Sequence, residues 1–151
     1  MIRSKEFLLD LDWEYSQKNI NWTELSNLYS VAPLGNKEPK CLEEVFSNIM
    51  FKCFVSVTGK IIGVGRALAD GVDCSYICDV AVLPAYQGKG IGRDIVKKII
   101  ELSKGHKKII LYSSPGTKSF YKKSGFNRMS TAMATFKNQN KALEAGLTNK
   151  T

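Results

Sequence analysis

The residues best able to do chemistry form one run: Val80-Ala81-Val82-Leu83-Pro84-Ala85-Tyr86-Gln87-Gly88-Lys89-Gly90-Ile91-Gly92-Arg93. An apolar stretch ends at a proline, a glycine-rich turn follows, and a helical pattern begins behind it. Glycines let successive amides turn inward without Cβ clashes, and a helix start adds unpaired N–H groups and the positive end of its dipole. Such a nest suits a pyrophosphate, and Lys89 and Arg93 add charge at its rim. Two familiar phosphate loops do not fit. A dinucleotide fingerprint needs a sixth-position glycine where Arg93 stands, and a Walker loop needs Ser or Thr where Gly90 stands. The pattern that fits is Gln87-x-x-Gly90-x-Gly92.

Three further side chains could react. Asp79 sits inside an apolar strand, where an unpaired carboxylate is costly; it reads as a base or water-positioning group, or as a structural hydrogen-bond acceptor. Tyr121 reads as a half-buried aromatic or as a proton donor, since a phenol of pKa about 10 stays protonated at neutral pH. Cys78 as a nucleophile would need a base, and the single histidine, His106, lies beyond the far end of the helix; a small core residue is the better reading. Cys74 and Cys78, four apart on one strand, are expected to share a face, with no metal partner. The four cysteines contain no CxxC pair, so no metal site and no disulfide framework is expected, and a reducing, cytoplasmic location follows.

Stepping along the chain gives the elements that must hold these groups. Phe7 to Tyr15 reads as a first strand, Asn21–Tyr29 as a helix with Trp22, Leu25, Leu28 and Tyr29 on one side, and Leu42 to Ile49 as a second helical stripe. Phe51–Val57 and Lys60–Ala67 flank Thr58-Gly59 as a hairpin, and Ser75–Leu83 reads as a buried central strand. Ile91, Ile95, Ile99 and Leu102 stripe a strong helix stopped by Gly105. Ile109–Tyr112 is a short strand, Phe120–Lys123 a short helix, Phe126–Phe136 one or two last strands, and Asn138–Leu147 a polar terminal helix. Strands and helices alternate around a mixed sheet, an α/β (α+β) class.

At 151 residues the chain has one domain's length, 44% of it hydrophobic and 24% charged, the balance of a globular protein. No apolar run approaches the roughly 20 residues needed to span a bilayer, and no signal-peptide pattern opens the chain, so no membrane association is expected. The net charge of +8 is uneven: residues 1–85 carry −3, residues 86–128 carry +9 and residues 129–151 carry +2. The basic block coincides with the glycine loop, which favours an anion site over a merely wet helix face.

Taken together, Val80-Ala81-Val82-x-Pro84, Gln87-x-x-Gly90-x-Gly92 and Phe120-Tyr121-Lys122-Lys123-Ser124-Gly125-Phe126 resemble the GCN5-related N-acetyltransferase (GNAT) superfamily, over about residues 50–136. The resemblance implies a single domain over residues 1–136 with a helical extension at 137–151. Its sheet would be mixed and mostly antiparallel, with a splayed parallel strand pair and helices on both faces. It implies acetyl-CoA as cosubstrate, held between Ser75–Leu83 and Ile109–Tyr112: Val80 and Val82 amides on the pantetheine arm, with Ala81 between them, and the amides from Gln87 through Gly88, Lys89, Gly90, Ile91 and Gly92 to Arg93 on the pyrophosphate. It adds Ser114, Phe120, Tyr121 and Lys123 to the cofactor set, with Tyr121 protonating the departing thiolate and Asp79 the candidate base. Relatives that carry an acidic residue before this aspartate, or an aspartate where Tyr112 stands, differ here, because Cys78 and Tyr112 occupy those positions.

The acceptor site would be walled by the N-terminal helices, where Glu24, Glu38, Glu43, Glu44, Asp70 and Asp73 make that half acidic; a small, positively charged primary amine is the expected acceptor, for a monomer or homodimer. A CoA-binding sensor without turnover is the alternative. A nucleic-acid binder is disfavoured, since no recognition-helix pattern or interleaved surface aromatics accompany the basic block.

Overall fold

The computed structural model describes residues 9–150. Strands β1 (Asp12–Glu14), β2 (Phe51–Val57), β3 (Lys60–Ala69), β4 (Cys74–Val82) and β5 (Lys108–Ile110) form one sheet in sequence order. All neighbours are antiparallel except β4 and β5, which run parallel. The first strand is shorter than the sequence pattern predicts, and Phe7 and Leu8 lie outside the described residues. Helix α1 (Trp22–Val31) begins where the Asn21 side chain accepts the Glu24 N–H at 3.0 Å, and α2 (Pro39–Ser47) begins on Pro39, whose fixed φ suits a first helical residue.

Strand alternation sorts the two faces. Phe54 and Val64 belong to the core under α1 and α2, with Leu25, Leu28, Tyr29, Leu42 and Phe46. Phe46 links Trp22 and Phe54, with ring centroids 6.0 and 5.1 Å away. On the opposite face, α3 (Ile91–Leu102) buries Ile91, Ile95, Val96 and Ile99, while Leu102, expected on the same stripe, is exposed. That face of β3 is made of glycine. A Cβ on Gly65 would stand 2.5 Å from Ile95 Cγ2, and one on Gly63 2.9 Å from Ile95 Cδ1, so the bare backbone lets α3 sit close.

The chain divides into two compact units, Met1–Leu111 and Tyr112–Thr151. The second holds α4 (Lys118–Lys123) and α5 (Gln139–Glu144), the latter capped by the Asn138 side chain on Lys141 N–H at 2.9 Å. The segment expected to extend the domain helically from residue 137 lies wholly in this unit. The strands expected between Phe126 and Phe136 are not present: no residue there is in a strand, and Met133 is 98% exposed. Alternation of apolar residues does not make a strand without a neighbour to complete its ladder.

Candidate active site

Strand β4 changes character half-way. It pairs with β5 only from Cys74 to Tyr76, and beyond Tyr76 no strand among the described residues lines its outer edge. On its inner side, Asp79 stands opposite Arg66 but Ile77 opposite Ala67, so Cys78 is one residue too many: a β-bulge. The bulge turns the strand over. Ser75 Oγ meets Ser103 Oγ at 2.7 Å, just past α3, whereas Asp79, an even number of residues on, meets Tyr29 of α1, and Ala81 joins the α1–α2 core.

The bulge also decides where β4's peptide groups point. Leu83 N–H donates to Ile62 O at 2.8 Å, toward β3. Antiparallel alternation then turns Ala81 to β3 as well, and directs the N–H and C=O of Val80 and Val82 to the open edge. On that edge Gln87 Nε2 donates to Val82 O at 2.9 Å, tying the glycine loop to the strand end. Between them Pro84–Tyr86 forms one turn of 3-10 helix, which uses the Gln87 amide on Pro84 O at 3.2 Å. Gln87 thus shapes the loop through its side chain, while its amide closes the 3-10 turn.

Beyond Gln87, the amides from Gly88 to Arg93 donate to no acceptor among the described residues, and the first helical bond is Asp94 N–H to Gly90 O at 3.0 Å. Gly88 and Gly90 have φ of +76° and +84°, a left-handed conformation that glycine adopts without strain, and Gly90 is the N-cap of α3. Lys89 and Arg93 are exposed beside this nest. A strand edge with outward amides therefore runs directly into a glycine-rich helix start.

Behind the strand lies a network the sequence reading did not assemble. Asp79 Oδ2 is ion-paired with Arg66 Nε and accepts the Tyr29 hydroxyl at 2.8 Å; the Arg66 and Asp79 side chains are 16% and 14% exposed. Tyr29 is fully buried, and burial first, then the Asp79 charge, pushes its phenol well above its usual range. Burial alone would lower the Arg66 pKa, but Asp79 reverses that and the net shift is upward. In this geometry Asp79 is a hydrogen-bond acceptor and ion-pair partner. The signal in the sequence was Arg66 itself, a charge within the otherwise apolar and glycine-rich β3, which demands a partner. Cys78, with its thiol pushed up by burial, is a poor nucleophile.

Several acidic residues expected at the acceptor mouth have other work. Glu24 Oε1 accepts Ile61 N–H at 2.5 Å. Asp70 and Asp73 lie at the β3–β4 turn, the end of β4 remote from the glycine loop. There Asp70 Oδ1 accepts Val72 and Asp73 N–H at 2.9 and 2.7 Å, and Asp73 pairs with Lys108 at 3.0 Å. Glu38, Glu43 and Glu44 stay exposed on or beside α2. In the second unit, Tyr121 on α4 is half-buried with its ring edge-on to Phe120 (5.0 Å) and Phe126 (6.0 Å), Lys123 is exposed, and the Ser114 carbonyl accepts Thr117 Oγ1–H at 2.7 Å. Among the described residues no three His, Cys, Asp or Glu side chains stand together as a metal site would need.

The sequence profile of the acetyltransferase (GNAT) family matches residues 15–126. The chain belongs to the GNAT family. It is 36% identical over 113 residues to the glucosamine 6-phosphate N-acetyltransferase of Trypanosoma brucei brucei, covering 68% of this chain and 77% of that protein. To the chloroplastic GCN5-related N-acetyltransferase 1 of Arabidopsis thaliana it is 27% identical, covering 83% of this chain and 64% of the relative, so this GNAT protein spans less than two thirds of that length. In three dimensions it is similar to AAC(6')-Iy bound to the bisubstrate analogue CoA-S-monomethyl-acetylneamine, with TM-score 0.65 at 17% identity, over 85% of this chain and 98% of that one. The GNAT fold is thus the observed one: a mixed, mostly antiparallel sheet ending in a parallel pair, with helices on both faces.

Proposed function

We propose that this GNAT protein transfers an acetyl group from acetyl-CoA to a primary amine of a small, cationic molecule, by direct attack in a ternary complex. The observation that carries the reading is the set of main-chain donors without acceptors among the described residues, Val80 and Val82 on the open edge of β4 and the amides from Gly88 to Arg93. A pantetheine arm carries amides that extend a strand edge as another strand would, and a pyrophosphate is the group a glycine-rich helix start holds. The residues present fit the cosubstrate on both counts. When bound, acetyl-CoA supplies a thioester carbonyl that a neutral amine attacks, with the CoA thiolate as leaving group.

The chain's own groups do the rest. Val80 and Val82 orient the acyl arm, and the loop amides with Lys89 and Arg93 offset the phosphate charge. Tyr121 Oη gives its proton to the departing sulfur and regains one from solvent. Asp79 stays with Arg66 and Tyr29, so the acceptor's ammonium loses its proton through water rather than to a single base. Exposed Glu38, Glu43 and Glu44, in an N-terminal half of charge −3, support a cationic acceptor. The trypanosome relative's name, that of an amino-sugar phosphate N-acetyltransferase, supports an amine as the acceptor without bearing on its charge.

The test is a panel of polyamines, arylalkylamines, amino sugars and amino acids offered with acetyl-CoA. Turnover of cationic amines is expected, with Tyr121→Phe slowing it while CoA affinity is kept. Activity confined to phosphorylated or carboxylate-rich acceptors overturns the acceptor class. CoA binding with no product from any member supports a sensor instead.

A further inference from the structure

We infer that Arg66, Asp79 and Tyr29 form a register lock: they hold the β-bulge at Cys78 and so determine which peptide groups of β4 face the open edge. Asp79 acts through the strand, as a positioning residue, and not on the acceptor's proton. The inference rests on the acetyl-CoA reading of that edge and adds how the chain builds it.

Side chains in a strand repeat every two residues, so a one-residue slip sends each to the opposite face and reverses each peptide group. If Cys78 were drawn into the ladder, Ala81 and Leu83 would present their amides outward, and Val80 and Val82 would turn inward. A bulge alone does not choose between these states, because the extra residue can be absorbed by a shift of the strand. The first residue beyond it does choose. Asp79 meets donors from two other elements, Arg66 on β3 and Tyr29 on α1, and both bind the same oxygen, Oδ2. In the slipped register that carboxylate would point to the face covered by α3, whose core-facing residues are Ile91, Ile95, Val96 and Ile99. An unpaired charge there is strongly disfavoured, and Tyr29 and Arg66 would lose their acceptor in the interior at the same time. The network thus penalises only the wrong parity.

The experiment compares Asp79→Ala, Asp79→Asn and Tyr29→Phe in the full chain. It uses acetyl-CoA calorimetry, steady-state kinetics with an active acceptor, and amide hydrogen exchange of residues 80–83. In the wild type, Ala81 and Leu83 are expected to exchange slowly and Val80 and Val82 rapidly. Asp79→Ala should erase that contrast and weaken acetyl-CoA binding at least tenfold, chiefly through KM. Asp79→Asn keeps an acceptor oxygen for both donors and should return binding to within about threefold of wild type, with the pH–rate profile retained. A general base predicts the reverse: Asn as inactive as Ala, loss in kcat with KM held, and a missing limb in the pH profile. That outcome overturns the lock, as does an exchange contrast that survives Asp79→Ala. Should Asp79→Ala fail to fold, Tyr29→Phe, which removes one donor, is expected to reduce the contrast and weaken binding a few-fold; no change in either overturns the proposal. If the wild type binds no acetyl-CoA, the acetyltransferase reading fails, and the exchange pattern alone still decides whether the lock exists.

Discussion

Protonation of buried side chains gives the first predictions at the scale of single residues. Cys53 is fully buried, and burial pushes its thiol up to about 12 from the ordinary 9.0. A group whose folded pKa is raised contributes its stability in full below the unfolded value and loses it as pH climbs toward the folded one. Stability to urea should therefore fall above about pH 9, by about 1.4 kcal/mol per pH unit for one such thiol. Tyr29, raised in the same direction, adds to the fall at higher pH. Cys53→Ala should flatten this alkaline limb even though the smaller side chain lowers stability at pH 7. A thiol reagent at pH 8 should label exposed Cys41 first and leave Cys53 untouched until the protein unfolds. At Tyr121, replacement by Phe should lower kcat by roughly 10²-fold if the phenol is the general acid, with acetyl-CoA affinity within twofold by calorimetry. The glycine turn that opens α3 was legible from the sequence because its spacing along the chain carries its meaning. The Asp79 partnership was not, because Tyr29 lies 50 residues away and only tertiary packing makes the two neighbours.

At the scale of elements, the α3–β3 contact and the glycine loop make separable demands. Gly65→Ala drives a methyl group into Ile95 and should destabilise by about 1–3 kcal/mol in chemical denaturation, with Gly63→Ala milder. Gly88 has open space around the Cβ it lacks, so Gly88→Ala should cost only the left-handed strain, about 1 kcal/mol. Gly90→Val differs: its side chain would meet the Arg93 guanidinium, 3.1 Å from the first added carbon, at the mouth of the amide nest. It should weaken acetyl-CoA at least tenfold while the chain still folds, and unchanged calorimetric affinity would show the loop has another use. The hairpin and the helices could be read because each follows from local periodicity and turn chemistry, whereas the parallel pair was expected only from the family resemblance. The bulge could not, since a register exists only between two strands. The strands expected after Phe126 failed for the same reason: an alternating sequence describes one side of a ladder and says nothing of whether another side is there.

Over the whole molecule, charge is distributed against the grain of its net value. The +9 of residues 86–128 brackets the glycine loop, while residues 1–85 carry −3. Acetyl-CoA affinity should accordingly weaken several-fold between about 50 and 500 mM salt, as exposed charges are screened, whereas the partly buried Arg66–Asp79 pair should be less sensitive. A nucleic-acid gel shift that persists at physiological ionic strength would instead return the basic block to a different ligand.

The half of β4 beyond Tyr76 has one more consequence. Sheet margins with a free row of donors and acceptors recruit any extended polypeptide they encounter, including a sister molecule. A thioester carrier laid along that margin would act as a sheath as well as a reactant. Handling this protein with the carrier present should keep it dispersed during concentration and storage, and stripping the carrier away should leave it adhesive.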